Sequence, residues 1–160
     1  MIATLNKIRA HSPCREGWEK LLRHLGKTAA DDEPLPITAV LESNGLDDAL
    51  WCLRAVQDHD RELRLYAVWC ARQVQHLMTD PRSLAALDVA GRYARGRASA
   101  AEFKETKEAA AAAAGAWEAA SAAWEAASAE RAAREAQAAE FRRMIREIEA
   151  GRDPYPEEEE

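Results

Sequence analysis

The chain has 160 residues, of which 22 are Lys or Arg and 28 are Asp or Glu, so its formal net charge is −6. Residues 1–98 hold 14 basic against 13 acidic side chains, and this balance argues against a nucleic-acid-binding protein, which needs a basic face. No apolar run approaches the roughly 20 residues of a membrane span, and three cysteines with neither a pairing pattern nor a signal peptide predict reduced thiols in the cytoplasm.

Short helices joined by turns are predicted for the N-terminal part of the chain. Gly26 can supply the left-handed cap of the first strong helix, and residues 28–36, with two prolines and three acids, form a connector. A short helix beginning at Ile37 ends at the turn dipeptide Asn44-Gly45. The apolar residues of the first strong helix have the spacing of one helical face: Trp18, Leu21, Leu22 and Leu25.

Three further helices follow in the central part of the chain. The first spans residues 46–56 and the second residues 60–78, where apolar side chains repeat with the helical period. Asp80 is a suitable N-cap for the third helix, and Pro81 fits its first turn. No segment has the alternation of a strand, so residues 1–98 are predicted to form a compact bundle of short helices.

One long Ala/Trp-rich helix is predicted for residues 99–150. Ala has the lowest conformational cost in a helix, and two near-identical seven-residue repeats begin at Ala116 and Ala123. Ser99 and Glu102 have the spacing of a capping box at its start. A helix this long cannot bury its own surface, and the heptad period favours packing on another helix, as a brace or in a homodimer. The predicted oligomerisation seam is Trp117, Ala120, Trp124, Ala127, Phe141 and Ile145.

The predicted fold class is therefore all-α, a compact bundle of short helices followed by one long C-terminal helix. The domains are residues 1–98 as the bundle, residues 99–150 as the long helix, and residues 151–160 as a disordered acidic tail. Gly151 and Pro154 are expected to end the helix. The tail holds five acids against one arginine, a composition typical of disordered segments.

The sequence contains no constellation that predicts a catalytic residue, a metal site or a cofactor. His59 has no second histidine at helical spacing, which a helical metal site needs. Cys52 and Cys70 are predicted to be buried structural thiols. Cys14 lies near a histidine, but a nucleophile also needs a positioned base and an orienting group. The sequence therefore predicts a protein that is not an enzyme.

A mixed-charge stretch with one tryptophan is the candidate partner-binding surface. Such a stretch is commonly a solvated face, although charge-matched docking faces set the specificity and the rate of association. Trp is also enriched at the hot spots of interfaces. The candidate residues are Trp51, Arg54, Asp58, His59, Asp60, Arg61 and Arg64.

Several segments of the chain are shared with a known family. The most specific is residues 41–56, Leu-Glu-Ser-Asn-Gly-Leu-Asp-Asp-Ala-Leu-Trp-Cys-Leu-Arg-Ala-Val; the others are residues 31–36, 60–65, 75–83, 86–90 and 95–96. Over roughly residues 14–145 the chain resembles an immunity protein family of bacteria and their phages, the immunity-protein-five-like group. This resemblance implies an all-α protein, assigned mostly by genomic context to neutralising a toxin in polymorphic toxin systems. It carries over no catalytic residue.

Two alternatives to a toxin-neutralising protein remain open. Members of the family also occur in phage genomes, where an inhibitor of a bacterial defence complex, such as an anti-CRISPR protein, is the natural competitor. The chain departs from the family in its tail, which has fewer tryptophans than many relatives and ends in four glutamates. A helical scaffold, in which the long helix is the active part, is the other alternative. The sequence predicts a cytoplasmic inhibitor that docks a protein target on its central helices.

Overall fold

The structure, a computed structural model, describes residues 1–73, 75–78, 80–117 and 126–156; of residues 77, 109–117 and 126–132 it describes the backbone alone. The described residues form helices, turns and one pair of two-residue strands, so the predicted all-α class is confirmed for them. The helices are α1 (Leu5–Ala10), α2 (Arg15–His24), α3 (Ile37–Asn44), α4 (Leu46–Cys52), α5 (Asp60–Gln73), α6 (Pro81–Ala94), α7 (Ala100–Trp117) and α8 (Ala126–Glu149). Two 3-10 turns follow α4 and α5, at Leu53–Ala55 and Gln75–Leu77.

The chain divides into two compact units. Unit 1 consists of residues Met1–His59 and Ile145–Arg152, and unit 2 consists of residues Asp60–Met144 and Asp153–Glu160. These boundaries differ from the division at residue 98 that composition suggests. The reason is that the predicted long helix is shared, since α7 and most of α8 belong to unit 2 while the last residues of α8 belong to unit 1.

The turns of unit 1 form at the residues that the sequence predicts. Gly26 follows α2 with a φ of +65°, and Gly45 follows α3 with a φ of +97°, which is a region that glycine enters without steric cost. The N-terminus of α2 is capped by an unexpected side chain, because the Cys14 thiol accepts a hydrogen bond from the Gly17 N–H at 3.3 Å. The apolar faces of these helices form a buried core that includes Leu5, Ile8, Leu21, Ile37, Val40, Leu41 and Ala49.

One strand pair in unit 1 was not predicted. Strands β1 (Ile2–Ala3) and β2 (Leu35–Pro36) pair antiparallel. The Ile37 N–H extends the pairing by donating to the Met1 carbonyl at 3.1 Å. A strand of two residues is too short to show alternation of apolar and polar side chains, so the sequence pattern gives no sign of it.

In unit 2, α6 packs against both α5 and α7. The predicted helix starts are confirmed, since Asp80 accepts from the Arg82 N–H at 2.8 Å and Ser99 accepts from the Glu102 N–H at 3.1 Å. The second half of the predicted capping box is replaced, because the Glu102 carboxylate pairs with Arg92 on α6. The first turn of the predicted long helix is therefore tied to α6 of the same unit by the Arg92–Glu102 ion pair.

The C-terminal part of α8 lies in the protein core. Phe141 and Ile145 are both 0% exposed. In unit 2 the Phe141 ring packs on the Tyr66 ring with centroids 5.3 Å apart, and the Tyr66 hydroxyl donates to the Gln137 carbonyl at 3.0 Å. This burial corrects the assignment of Phe141 and Ile145 to an oligomerisation seam, because side chains without exposed surface have nothing to offer to a second copy.

The predicted long helix is present in its first and last parts. α7 continues through Gly115, as predicted, and Gly151 follows α8 with a φ of +69°, also as predicted. Residues 118–125 lie outside the described residues. Two positions of the predicted seam, Ala120 and Trp124, lie outside the described residues. For two others, Trp117 and Ala127, the structure describes the backbone alone.

The first residues of the predicted disordered tail are held within unit 2, which corrects that prediction for residues 153–155. Arg61 binds the Asp153 carboxylate with two hydrogen bonds of 2.9 Å, and Pro154 is buried. Composition missed this attachment because it counts Asp153 together with the four final glutamates, although the residues between them are Pro-Tyr-Pro. Residues 157–160 lie outside the described residues.

Candidate protein-interaction site

Trp51 and Arg54 form an aromatic–cation pair at the centre of the candidate site in unit 1. Trp51 lies in the last turn of α4, and Arg54 lies in the 3-10 turn that follows it. The Arg54 guanidinium carbon is 4.3 Å from the centroid of the Trp51 ring, which is a cation–π contact. Arg54 is exposed and Trp51 is half-buried. The pair therefore combines a large flat surface with a positive charge, and Trp and Arg are enriched at interface hot spots.

A cavity of about 100 Å³ includes Trp51 in its wall. The wall is mostly apolar and also contains Trp18, Leu21 and the thiols of Cys14 and Cys52. The two indole rings come from α2 and α4, which the fold of unit 1 brings together. A concave apolar surface beside a half-buried Trp is suited to receive an anchoring side chain of a partner.

Asn44 and Asp48 form the polar part of the cavity wall. The Asn44 amide donates to Asp48 Oδ2 at 2.7 Å and to the Gly17 carbonyl at 2.8 Å, so one side chain of α3 links α2 with α4. A methyl group at Gly17 would lie 2.7 Å from Asp48 Oδ2 and 3.1 Å from Cys14 Sγ. This approach is closer than a Cβ atom tolerates, so a side chain at position 17 would force the Asp48 carboxylate away from its hydrogen bond with Asn44.

The two thiols of the cavity differ in exposure, since Cys14 is exposed and Cys52 is buried. Burial, followed by the negative charge of Asp48, raises the pKa of Cys52 to about 11. Its thiol therefore stays protonated at neutral pH and is a weak nucleophile. In unit 2, Cys70 is half-buried, and burial raises its pKa as well. The predicted burial is therefore confirmed for Cys52, whereas Cys70 is only half-buried.

Asp58 and His59 lie in unit 1, in the turn before α5. Asp58 is exposed and His59 is half-buried. Asp58 has a φ of +67°, a conformation that is uncommon outside glycine, although Asp and Asn tolerate it better than other residues. Backbone strain of this kind is concentrated at binding and switch regions, so Asp58 remains a candidate for partner contact.

The other three predicted residues lie in unit 2. Asp60 is the exposed first residue of α5, and Arg61 holds the tail. The Arg64 guanidinium lies 4.9 Å from the centroid of the Tyr93 ring and 5.5 Å from that of the Phe103 ring, and these two rings stack at 4.8 Å. Arg64 thus serves the packing of α5 on α6 and α7. The predicted partner-binding residues are therefore divided between the two units, and Trp51 and Arg54 contact each other in unit 1.

The sequence reasoning missed Trp18 and Asn44 at the cavity, and Arg143 and Tyr155 at the tail. Trp18 was assigned to an apolar helix face, which does not reveal a gap in the packing. The tail sequence contains a signal of order, because two prolines and a tyrosine separate Asp153 from the final glutamates and proline restricts the backbone.

The fold and the site define an all-α protein with a Trp–Arg surface pair beside an apolar cavity. Within residues 1–73, 75–78, 80–117 and 126–156, no group of three or more His, Cys, Asp or Glu side chains is placed to hold a metal ion. In the same part of the chain, no helix combines the length and the apolar character needed to cross a bilayer. Comparison with protein-family models, with curated proteins and with solved structures gives no significant match.

Proposed function

We propose that this protein is a non-enzymatic inhibitor that acts by binding another protein, and that its target is a toxin. The observation that carries this proposal is the Trp51–Arg54 pair at the cavity of unit 1. Trp51 offers a large apolar surface for burial, and Arg54 adds a charge that speeds and orients association. Both residues lie within residues 41–56, the segment that most resembles the immunity protein family, and this resemblance supports a toxin as the target.

The two members of the pair are expected to contribute differently. Truncating a tryptophan at the centre of an interface costs 2 kcal/mol or more, which corresponds to a loss of affinity of about 30-fold. Arg54 is exposed, and removing an exposed charge of an interface mainly lowers the association rate. We therefore expect Trp51→Ala to weaken binding more than Arg54→Ala does.

The test uses the immobilised full chain and lysates of toxin-producing bacteria, with bound proteins quantified by mass spectrometry. Arg82→Ala is the matched control, because Arg82 is an exposed arginine of unit 2 that pairs with Asp80, two positions before it in the chain. We expect one protein to be retained by the wild type and by the control, and to be reduced about 30-fold by Trp51→Ala. Equal retention by the Trp51→Ala chain contradicts docking through this surface.

Toxicity of the retained protein tests the second part of the proposal. Expression of that protein alone is expected to arrest growth, and co-expression of the wild-type chain is expected to restore it. A retained protein that is harmless on its own contradicts the toxin target, and a component of a defence complex in its place supports the alternative inhibitor. The scaffold alternative has less support, because α7 packs on α6 and Phe141 is buried within the chain.

We further propose that the protein acts in the cytoplasm, since its three cysteines are free thiols. A homodimer remains a proposal that rests on the seam positions whose side chains lie outside the described residues: Trp117, Ala120, Trp124 and Ala127. Size-exclusion chromatography with light scattering is expected to give the mass of two chains at micromolar concentration. The mass of one chain at every concentration rejects the dimer.

A further inference from the structure

The surface of unit 2 that holds Asp153–Tyr155 has the properties of a peptide-binding site. Arg61, in the first turn of α5, donates one hydrogen bond to each oxygen of the Asp153 carboxylate, both at 2.9 Å. A bidentate pair fixes the orientation of the carboxylate as well as its position. The hydrogen bond from Arg61 also lowers the pKa of Asp153 below its usual value, so the carboxylate is charged at neutral pH.

A second arginine holds the two residues that follow. Arg143, on α8, donates to the Pro154 carbonyl at 2.9 Å, and its guanidinium lies 5.3 Å from the centroid of the Tyr155 ring. Pro154 is buried, and Tyr155 is half-buried. The Tyr155 N–H donates to Asp153 Oδ1 at 2.9 Å, so the segment turns at these residues. The site therefore holds three groups in order along a turned segment: a carboxylate, a proline and an aromatic ring.

The tail fits this site imperfectly. The Tyr155 hydroxyl is buried without a hydrogen bond of standard geometry, although it interacts with the Glu140 side chain, and an incompletely satisfied hydroxyl opposes burial. Burial, followed by the negative charge of Glu140, raises the pKa of this hydroxyl. The ion pair is also accessible, since the side chains of Arg61 and Asp153 are 35% and 41% exposed, and exposed pairs contribute little. A segment held in this way is displaceable.

From these contacts we infer that Asp153–Tyr155 is a tethered occupant of a binding site, and that the site accepts a segment of a partner with the same order of groups and the same turn. The inference rests on the proposed function in that a protein target supplies this segment. Arg61 is one of the predicted partner-binding residues, and the tail covers it until the partner's carboxylate replaces that of Asp153.

The tether determines how the site must be tested. A short flexible tether gives the tail an effective concentration in the millimolar range, so a free peptide competes poorly with it in the wild-type chain. The double variant Asp153→Ala/Tyr155→Ala removes the two side chains that Arg61 and Arg143 contact directly. It leaves Arg61 and Arg143 unchanged, and it keeps the full length of the chain.

The first measurement is the fluorescence anisotropy of a labelled peptide with the sequence of residues 152–156, Arg-Asp-Pro-Tyr-Pro. We expect saturable binding to the double variant, and binding to the wild type that is at least about tenfold weaker. Adding Arg61→Ala to the double variant is expected to abolish the gain, as is an Asn in place of the peptide's Asp. No binding to the double variant at about 10 mM peptide, well above the effective concentration of the tail, or equal binding to both chains, overturns the inference.

The second measurement uses the wild-type chain and does not depend on the folding of a variant. The ring signals of Tyr155 in a carbon-13 NMR spectrum, assigned from their loss in Tyr155→Phe, are expected to move to solvent-exposed positions as unlabelled peptide is added. Unchanged signals at about 10 mM peptide overturn the inference. Neither measurement contains a target protein, so a failure here leaves the test at Trp51 unaffected, and a failure at Trp51 leaves this test unaffected.

Discussion

Replacing Phe141 by Ala is expected to cost folding stability in a way that does not depend on self-association. Phe141 is 0% exposed and packs on Tyr66. Truncating a fully buried Phe to Ala costs about 3–5 kcal/mol, of which the aromatic pair accounts for about 0.5–1.5 kcal/mol. A domain of ordinary stability has about 5–15 kcal/mol to lose, so this single change removes a large part of it.

Urea unfolding followed by circular dichroism measures this loss. With a slope of about 2 kcal/mol per molar urea, the midpoint is expected to fall by about 2 M, and by the same amount at two protein concentrations a hundredfold apart. Arg146→Ala is the control, because Arg146 is exposed on the same helix, and it is expected to stay within about 0.5 kcal/mol of the wild type. A loss below about 1 kcal/mol refutes the burial of Phe141. A difference between the midpoints of the variant and the wild type that changes with protein concentration assigns Phe141 to a dimer interface.

Three further predictions follow from the cavity, the thiols and the tail. Gly17→Ala places a methyl group 2.7 Å from Asp48 Oδ2 and is expected to destabilise the protein by about 1–3 kcal/mol. In Gly91→Ala the new methyl group lies 3.5 Å or more from its neighbours, so this change is expected to stabilise α6 by about 0.5–1 kcal/mol. Changes of the same sign in the free energy of urea unfolding for Gly17→Ala and Gly91→Ala contradict the packing around Gly17. In the native chain at about pH 8, Ellman's reagent is expected to label exposed Cys14 before Cys52, whose pKa is raised to about 11; early labelling of Cys52, located by mass spectrometry, contradicts its burial. The stabilisation lost in Asp153→Asn is expected to be constant above about pH 5 and to shrink below about pH 4. The reason is that the pKa of Asp153 is lower in the folded chain than the unfolded-state value of about 3.9. The charged carboxylate therefore stabilises the fold above that value, and the stabilisation is lost as Asp153 is protonated in the folded chain. A difference between the two chains that changes between about pH 6 and 8 assigns the effect to another group.

The predictable parts of the fold are those that depend on neighbours in the sequence. The cap of Asp80 on α6 and the turn at Gly45 involve residues within one helical turn, so their chemistry is visible in the sequence. The strand pair has no sequence signal, because it joins Ile2–Ala3 near the N-terminus with Leu35–Pro36 at the end of the connector. No local pattern marks a pairing between segments so far apart in the sequence. Phe141 shows a different limit, since periodicity identifies an apolar position but not whether its neighbour belongs to the same chain.

The candidate site shows the same division. Trp51 and Arg54 are three positions apart on consecutive helical turns, so the sequence could predict that they meet. The cavity needs Gly17, Asn44 and Asp48 from three helices, and the distances among them arise from tertiary packing. Arg61 was predicted as a partner-binding residue, but its contact with Asp153 spans 92 positions and has no sequence signal beyond the opposite charges.

Isothermal titration calorimetry of the full chain against the purified target protein tests most directly whether Trp51 anchors the complex. The wild type and the Arg82→Ala control are expected to bind with the same Kd within about threefold, and Trp51→Ala is expected to bind about 30-fold more weakly or worse. A Trp51→Ala chain that remains folded and binds the target as tightly as the wild type contradicts the proposed docking surface.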